Sequence, residues 1–140
     1  MAAPRIYWDS CVAIYRVEQA APWFERIEQH LLRLPDDARV CLTDLTWMEC
    51  RVGPVRAGDS TLLARYDEFF GHADALWVPL TREVFAGALQ LRALHRIKVP
   101  DALHLAAAMA ADCAEFWTHD SRLASAAAGH LRVVDLHDNP

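Results

Sequence analysis

The sequence is poor in lysine, and it lacks long apolar runs and linkers. Its 14 basic residues include one lysine, Lys98, so arginine carries almost all of the positive charge. Charged residues interrupt every apolar run before it is long enough to cross a bilayer. The first residues also lack the apolar core of a signal peptide, so we expect a cytoplasmic protein without a membrane segment.

The cysteines lack the spacing of a metal site. None of Cys11, Cys41, Cys50 and Cys113 forms a CxxC pair, and each has apolar neighbours. This pattern is typical of reduced core cysteines in a cytosolic protein, and it argues against a cysteine-bound metal.

The bulk properties describe one globular domain, residues 1–140. At 54% hydrophobic content, a chain of 140 residues can bury a proper core. The net charge of −5 argues against a protein that coats nucleic acid by charge alone. It does not exclude a nuclease, because some of the acidic residues could form a cation site.

Short apolar runs alternate with helical patterns along the chain. The predicted strands are Arg5–Trp8, Val40–Leu42, Ala75–Leu80, Glu115–Thr118 and Leu131–Leu136. The sequence also predicts six helices. The first opens at Pro22, the second ends at Gly53-Pro54, and the third begins at Asp59-Ser60. The fourth follows Thr81, the fifth runs from Asp101 to Ala110, and a short sixth precedes the last strand. Strands separated by helices favour a mostly parallel central sheet with helices on both faces.

Four acidic residues lie where these segments begin or end. Asp9 and Asp120 follow predicted strands, Asp101 opens an alanine-rich helix, and Glu49 lies about two turns beyond the second strand. Ligand sites of open parallel sheets lie at the carboxyl ends of the strands. If the acids meet there, their charges require a cation or raised pKa values, and carboxylate oxygens suit Mg²⁺ or Mn²⁺. A single aspartate at such a position is more often a cap or turn residue, and Asp101 could be only an N-cap.

Four segments carry a family resemblance. Tyr7-Trp8-Asp9-Ser10, Thr46-Trp47-Met48-Glu49, Pro100-Asp101-Ala102-Leu103-His104 and Trp117-Thr118-His119-Asp120-Ser121 resemble the four acidic motifs of the PIN-domain ribonucleases. More narrowly, the chain resembles the VapC-like toxins of type II toxin–antitoxin modules. One departure is His119, which stands where family members often carry asparagine.

The resemblance implies a three-layer α/β/α PIN-like fold and a Mg²⁺-dependent endoribonuclease, with Mn²⁺ as a possible substitute. It assigns the catalytic and metal-binding positions to Asp9, Glu49, Asp101 and Asp120, with Asp9 and Asp101 as principal ligands. Ser10 and Thr118 match the hydroxyl residues that flank the first and fourth acids. The implied partners are an RNA substrate, a small cognate antitoxin and a second copy of the chain, through the helix at Pro22–Leu34 or at Thr61–Phe70.

Several alternatives stay open at this level. The chain could be a PIN-like domain without activity, or a receiver-like signalling domain, which also gathers acids at a sheet edge. A receiver requires a lysine after a late strand, whereas Lys98 lies between two helical patterns. His104 could touch the metal, or it could be a core histidine supporting the acids. Trp8, Trp47 and Trp117 are interpreted as core anchors rather than base-stacking rings.

Overall fold

In a computed structural model that describes residues 3–71 and 74–138, helices and strands alternate along the chain. The strands are β1 (Arg5–Trp8), β2 (Arg39–Leu42), β3 (Leu76–Trp77), β4 (Glu115–Thr118) and β5 (Arg132–Asp135). The helices are α1 (Ser10–Glu18), α2 (Trp23–Leu32), α3 (Asp44–Ala57), α4 (Ser60–Phe70), α5 (Arg82–His95), α6 (Val99–Ala110) and α7 (Ser121–Ala127). None of these helices combines the length and apolar character that crossing a membrane requires.

All five strands pair in parallel, in the order β3-β2-β1-β4-β5. The chain leaves central β1 toward β2 on one side and returns to β4 on the other. The carboxyl ends of β1 and β4 therefore border the point where strand order reverses, where open α/β sheets bind ligands. The order differs from the 2-1-3-4-5 order of flavodoxin-like and receiver folds. Lys98 precedes α6 as its N-cap rather than following a strand, so the receiver alternative is wrong.

Side chains alternate across the sheet and divide the core into two layers. Tyr7 and Phe116 join one cluster with residues of α5, α6 and α7. Trp8 and Trp117 join the other, with residues of α1, α2 and α4. This alternation follows from the two-residue period of a strand. The predicted three-layer α/β/α arrangement is confirmed.

Helix α1 was not predicted from the sequence. Its branched residues Val12, Ile14 and Val17 lower helix propensity, and tertiary packing overrides that preference. Val12 and Val17 are buried against the sheet. The first residue after β1, Asp9, serves as the N-cap, so the chain turns from strand to helix at the acid itself.

The predicted end of α3 at Gly53-Pro54 is wrong. The helix continues through the buried Pro54 to Ala57, and Gly58 closes it in the left-handed conformation at φ 66°. The amides of Gly58 and Asp59 donate to the carbonyls of Val55 and Pro54, so the final turn keeps its hydrogen bonds. The buried side of this helix is also not the predicted one, because Met48 and Val52 are exposed.

Two of the three tryptophans interpreted as core anchors fit that reading. Trp8 and Trp117 are buried, but Trp47 is 45% exposed. The guanidinium of Arg51 lies over the Trp47 ring, 4.9 Å from the centre of that ring. All four cysteines are free, and three of them are buried.

Candidate functional site

The acids predicted from sequence lie around the carboxyl edge of the sheet. Asp9 follows β1, Asp120 lies two residues beyond β4, and Asp101 lies in the first turn of α6. Glu49 lies in the second turn of α3, which starts after β2. Burial raises the pKa of Asp101 from 3.8 to about 6, and the negative charges of Asp9 and Asp120 add to the increase, with a smaller contribution from Glu49. The four carboxyl groups therefore share one electrostatic environment.

Hydrogen bonds fix both carboxylate oxygens of Asp9. The backbone N–H of Ser10 donates to Oδ1 (2.8 Å), and the Thr118 hydroxyl donates to Oδ2 (2.8 Å). The backbone N–H of Asp9 donates to the Trp117 carbonyl (3.0 Å), which ties β1 to β4 at this edge. The side chain of Asp9 therefore has one defined orientation. The predicted accessory residues Ser10 and Thr118 are the groups that hold it.

Asp120 has a capping role as well as a place in the acidic cluster. Its Oδ1 accepts from the backbone N–H groups of Arg122 and Leu123 (2.9 and 3.1 Å), the first free donors of α7. Its own backbone N–H donates to the Thr118 hydroxyl (3.0 Å). Thr118 thus links Asp9 and Asp120 through one oxygen atom.

Glu49 is held by a buried histidine. Nε2 of His104 donates to Oε1 of Glu49 (2.6 Å), and the Ser10 hydroxyl donates to the same oxygen (2.7 Å). Burial by itself would raise the pKa of Glu49, but these two hydrogen bonds outweigh it and hold the pKa below its ordinary value. Glu49 is therefore an ionised carboxylate in a fixed position.

His104 supports the acids from the protein interior. Only 1% of the residue is exposed. The Tyr7 hydroxyl lies 2.6 Å from Nδ1, and Nε2 faces Glu49, with Oδ1 of Asp9 3.8 Å away. Burial raises the pKa of the Tyr7 hydroxyl, which keeps its proton. Of the two roles left open for His104, the structure shows the supporting one. Sequence reasoning missed Tyr7, because a tyrosine inside an apolar strand carries no polar signal.

Asp101 is not the N-cap of α6, because that helix begins at Val99. Within residues 3–71 and 74–138, its carboxylate forms no side-chain hydrogen bond or ion pair. A partly buried carboxylate without a donor, among other negative charges, is an environment that a cation would stabilise.

The donor set suits a hard cation in its chemistry. In the described parts of the chain, no three His, Cys, Asp or Glu side chains converge closely enough to hold a metal ion by themselves. Mg²⁺ does not require such a cage, since it keeps several waters and uses one or two carboxylates. Asp101, whose carboxylate has no partner in the described part of the chain, and the rigidly held Asp9 fit that requirement.

A separate groove lies between the sheet and helices α1, α2 and α4. Its volume is about 570 Å³. It is lined by side chains of β1, β2, α1, α2 and α4, with Trp8, Leu31, Val40 and Phe69 among the apolar ones. Nε1 of the buried Trp8 has no hydrogen-bond partner among the described residues. We place the candidate chemistry at the acids, because the groove contains none of the four.

Comparison with known proteins places these observations in a family. The PIN domain family matches residues 6–129. A search of curated protein sequences found no match. Similar solved structures include VapBC2 from Rickettsia felis bound to a promoter DNA fragment, with a TM-score of 0.76 and 12% identity, covering 94% of this chain and 98% of that one.

Two other structures show the same similarity of fold. VapBC-1 from nontypeable Haemophilus influenzae has a TM-score of 0.74 and 13% identity, covering 96% of this chain and 99% of that one. VapC20 from Mycobacterium tuberculosis, described as a sarcin–ricin loop cleaving toxin, has a TM-score of 0.71 and 11% identity, covering 86% and 94%. With its family match spanning most of the sequence, the chain belongs to the PIN-domain family.

Proposed function

We propose that this protein is a Mg²⁺-dependent endoribonuclease and the toxin of a type II toxin–antitoxin module, acting in the cytoplasm. The observation that carries the proposal is the carboxylate of Asp101, which has no hydrogen-bond donor among the described residues and whose pKa is raised to about 6 by burial and by the other acids of a PIN domain. Similarity to toxin–antitoxin structures, and to a structure described as a sarcin–ricin loop cleaving toxin, supports the biological role.

Asp9 and Asp101 would hold the cation. A divalent ion bound there supplies a water of lowered pKa and neutralises charge on the phosphate, so no protein nucleophile is required. Mn²⁺ could replace Mg²⁺ at such an oxygen site.

The remaining side chains of the site would orient the attacking water and hold the metal-binding carboxylates in place. Glu49, fixed by His104 and Ser10, presents its second oxygen as an acceptor that can orient a water for attack. Asp120 keeps one oxygen in the α7 cap and offers the other to the site. Thr118 and the Ser10 amide hold Asp9 in one orientation, which is the preorganisation that cleavage requires.

The proposal is tested by sequencing the 5′ ends of RNA fragments after induced expression, together with cleavage of total RNA by purified protein. We expect Mg²⁺-dependent fragments from the wild type and at least a hundredfold loss in Asp101→Asn. Asp112→Asn is the matched control, because Asp112 is an exposed aspartate just beyond the other end of the same helix, at φ 53°, where asparagine is well tolerated. Identical fragments from the wild type and Asp101→Asn would overturn the nuclease assignment.

We propose further that the groove beside Trp8 receives a segment of the cognate antitoxin. The structural neighbours include toxin–antitoxin complexes, and Trp8, Leu31, Val40 and Phe69 give this groove apolar wall area that a partner segment can cover. Trp8 directly precedes Asp9 in the chain, so an antitoxin segment in this groove would extend along the domain to reach the acids.

We expect the antitoxin to be encoded by an adjoining gene for a small DNA-binding protein, and the absence of such a gene would weaken the proposal. Co-expressed with the product of that gene, the wild type should co-purify with it and lose ribonuclease activity. Leu31→Arg, which fills the groove with a charged side chain, should weaken the complex at least tenfold while leaving cleavage intact. Undiminished binding by this variant would remove the groove from the proposal.

For the homodimer we propose a face of α3 instead of the helices considered from sequence. Four exposed apolar side chains lie on one side of that helix: Trp47, Met48, Val52 and Val55. The large apolar residues of α4 are mostly packed inward, and on α2 Leu32 is the one large apolar residue with high exposure. Contiguous exposed apolar side chains are typical of protein contacts. In sedimentation, Val52→Glu should convert dimer to monomer, whereas Leu32→Glu should not. A wild type that is monomeric at all concentrations would exclude this interface.

A further inference from the structure

Four rings, which we call the ring cluster, lie beside the acidic site. They form two stacked pairs. Tyr15 and Trp23 stack with ring centres 5.8 Å apart, and His119 and His137 stack with centres 4.4 Å apart and planes 25° from parallel. Trp23 meets both histidines at steep angles, with centre distances of 4.3 and 5.2 Å. The ring cluster is therefore one continuous aromatic surface.

Its position is fixed by residues of the site. His119 stands between Thr118 and Asp120, and its Nδ1 lies 3.3 Å from the Tyr15 hydroxyl. Tyr15 belongs to α1, the helix that begins directly after Asp9. The ring cluster is thus joined to the acids through His119, which lies beside Asp120, and through helix α1, which begins after Asp9. An RNA strand that crosses the acids would therefore pass close to the ring cluster.

His137 is the outermost ring, and it is held rigidly. Its Nδ1 and its backbone N–H both donate to Oδ1 of Asp135 (2.8 and 3.0 Å), while its carbonyl accepts from Arg26 (3.0 Å). Even so, its side chain is 43% exposed. One hydrogen bond holds the ring, two hold its backbone, and His119 packs against one face, so less entropy is lost when a flat ligand stacks on the exposed ring. The guanidinium of Arg26, 5.2 Å from the ring centre of Trp23, adds positive charge to the same surface.

We propose that the exposed face of His137, backed by His119 and bordered by Trp23, is a platform on which a nucleobase of single-stranded RNA stacks next to the cleaved phosphate. This assignment rests on the proposed ribonuclease function and specifies how the protein binds its RNA substrate. Stacking on aromatic rings binds RNA without relying on charge, and it tolerates different bases because every base has a flat face. Such a contact suits a chain with a net charge of −5, which cannot hold RNA by general attraction.

The test is equilibrium binding of fluorescein-labelled decamers, followed by fluorescence anisotropy in EDTA so that no cleavage occurs. One decamer is oligoadenylate, and the other has the same backbone without bases. We expect the wild type to prefer oligoadenylate by roughly tenfold, as one stacked base provides. His137→Ala should abolish that preference and bind the abasic decamer as the wild type does. His137→Phe should restore it, because phenylalanine keeps the stacking face and loses the ring nitrogens.

The matched control is His130→Ala. His130 is an exposed histidine that precedes β5, whereas His137 follows it, so the two lie at opposite ends of one strand. This variant should bind both decamers like the wild type, and thermal unfolding should show that all variants are folded. Equal binding of oligoadenylate by His137→Ala and the wild type would overturn the platform, as would failure of His137→Phe to restore binding. Absence of any RNA cleavage by the wild type would instead refute the ribonuclease proposal, while the binding comparison would still decide the platform.

Discussion

Replacing Asp101 with asparagine should stabilise the metal-free protein at pH 8. Burial and the neighbouring acids raise the pKa of Asp101 from 3.8 to about 6 in the folded state, so its ionised form is disfavoured there. A shift of roughly two pKa units corresponds to about 3 kcal/mol. Because the residue is partly exposed, solvent screening reduces this, and we expect about 1.5 kcal/mol. For a domain of this size the midpoint of thermal unfolding should rise by about 5 °C.

The sign of the pH dependence follows from linkage. A carboxyl group with a raised folded-state pKa binds its proton more tightly in the folded than in the unfolded chain, so its favourable contribution is complete below about pH 4 and is lost as the pH rises through about 6. The advantage of Asp101→Asn over the wild type should therefore be largest above pH 7, shrink between pH 6 and 4, and vanish below that range.

The assay is thermal or urea unfolding from pH 4 to pH 8 in EDTA, with Asp112→Asn as the control for an aspartate-to-asparagine change at the other end of α6. If Asp101→Asn is less stable than the wild type at pH 8, or if its advantage is equal at pH 5 and pH 8, then the charge cluster around Asp101 does not exist as described.

Three further outcomes are expected. Millimolar Mg²⁺ should raise the unfolding temperature of the wild type more than that of Asp101→Asn, as differential scanning fluorimetry would measure, and an equal rise would argue against binding at Asp101. Thr118→Val, which removes the donor to Asp9, should weaken Mg²⁺ binding by about tenfold in calorimetric titration, and unchanged affinity would contradict its positioning role. His104→Leu should lower the cleavage rate at least tenfold by releasing Glu49, with Km for RNA little changed; an unaltered rate constant would show that the position of Glu49 is unimportant.

The sheet and its two helical layers were predictable because the spacing of apolar residues along each short segment distinguishes strands from helices. Apolar runs such as Arg5–Trp8 and Glu115–Thr118 match β1 and β4 residue for residue. The errors come where nonlocal packing decides. The branched residues of α1 lower its helix propensity, but burial stabilises the helix. Helix α3 continues through Pro54, which is buried in its last turns. The backbone N–H groups of Gly58 and Asp59 donate to the final carbonyls there.

The grouping of the four acids was also predicted from sequence, and their assignment as the catalytic site stays a prediction. The motif pattern names Asp9 and Asp101 as principal ligands, but it does not predict which carboxylates already accept hydrogen bonds. His104 and Tyr7 meet Glu49 only because α6, β1 and α3 converge, which no local pattern reveals. The ring cluster was missed for the same reason, since His119 and His137 are 18 positions apart in sequence and are brought together by neighbouring strands β4 and β5.

The four acids differ in the number of hydrogen-bond donors that their carboxylate oxygens accept from. Glu49 and Asp120 each accept hydrogen bonds on one oxygen, and Asp9 accepts on both, with the Thr118 hydroxyl and the Cys11 thiol at its Oδ2. Asp101 alone of the four has none from the described side chains, and it carries the raised pKa. Since residues 3–71 and 74–138 supply donors to three of the acids and none to Asp101, the unfavourable charge is concentrated at that side chain. A cation placed there relieves the repulsion of the whole cluster, so metal affinity should depend more steeply on Asp101 than on any of the other three.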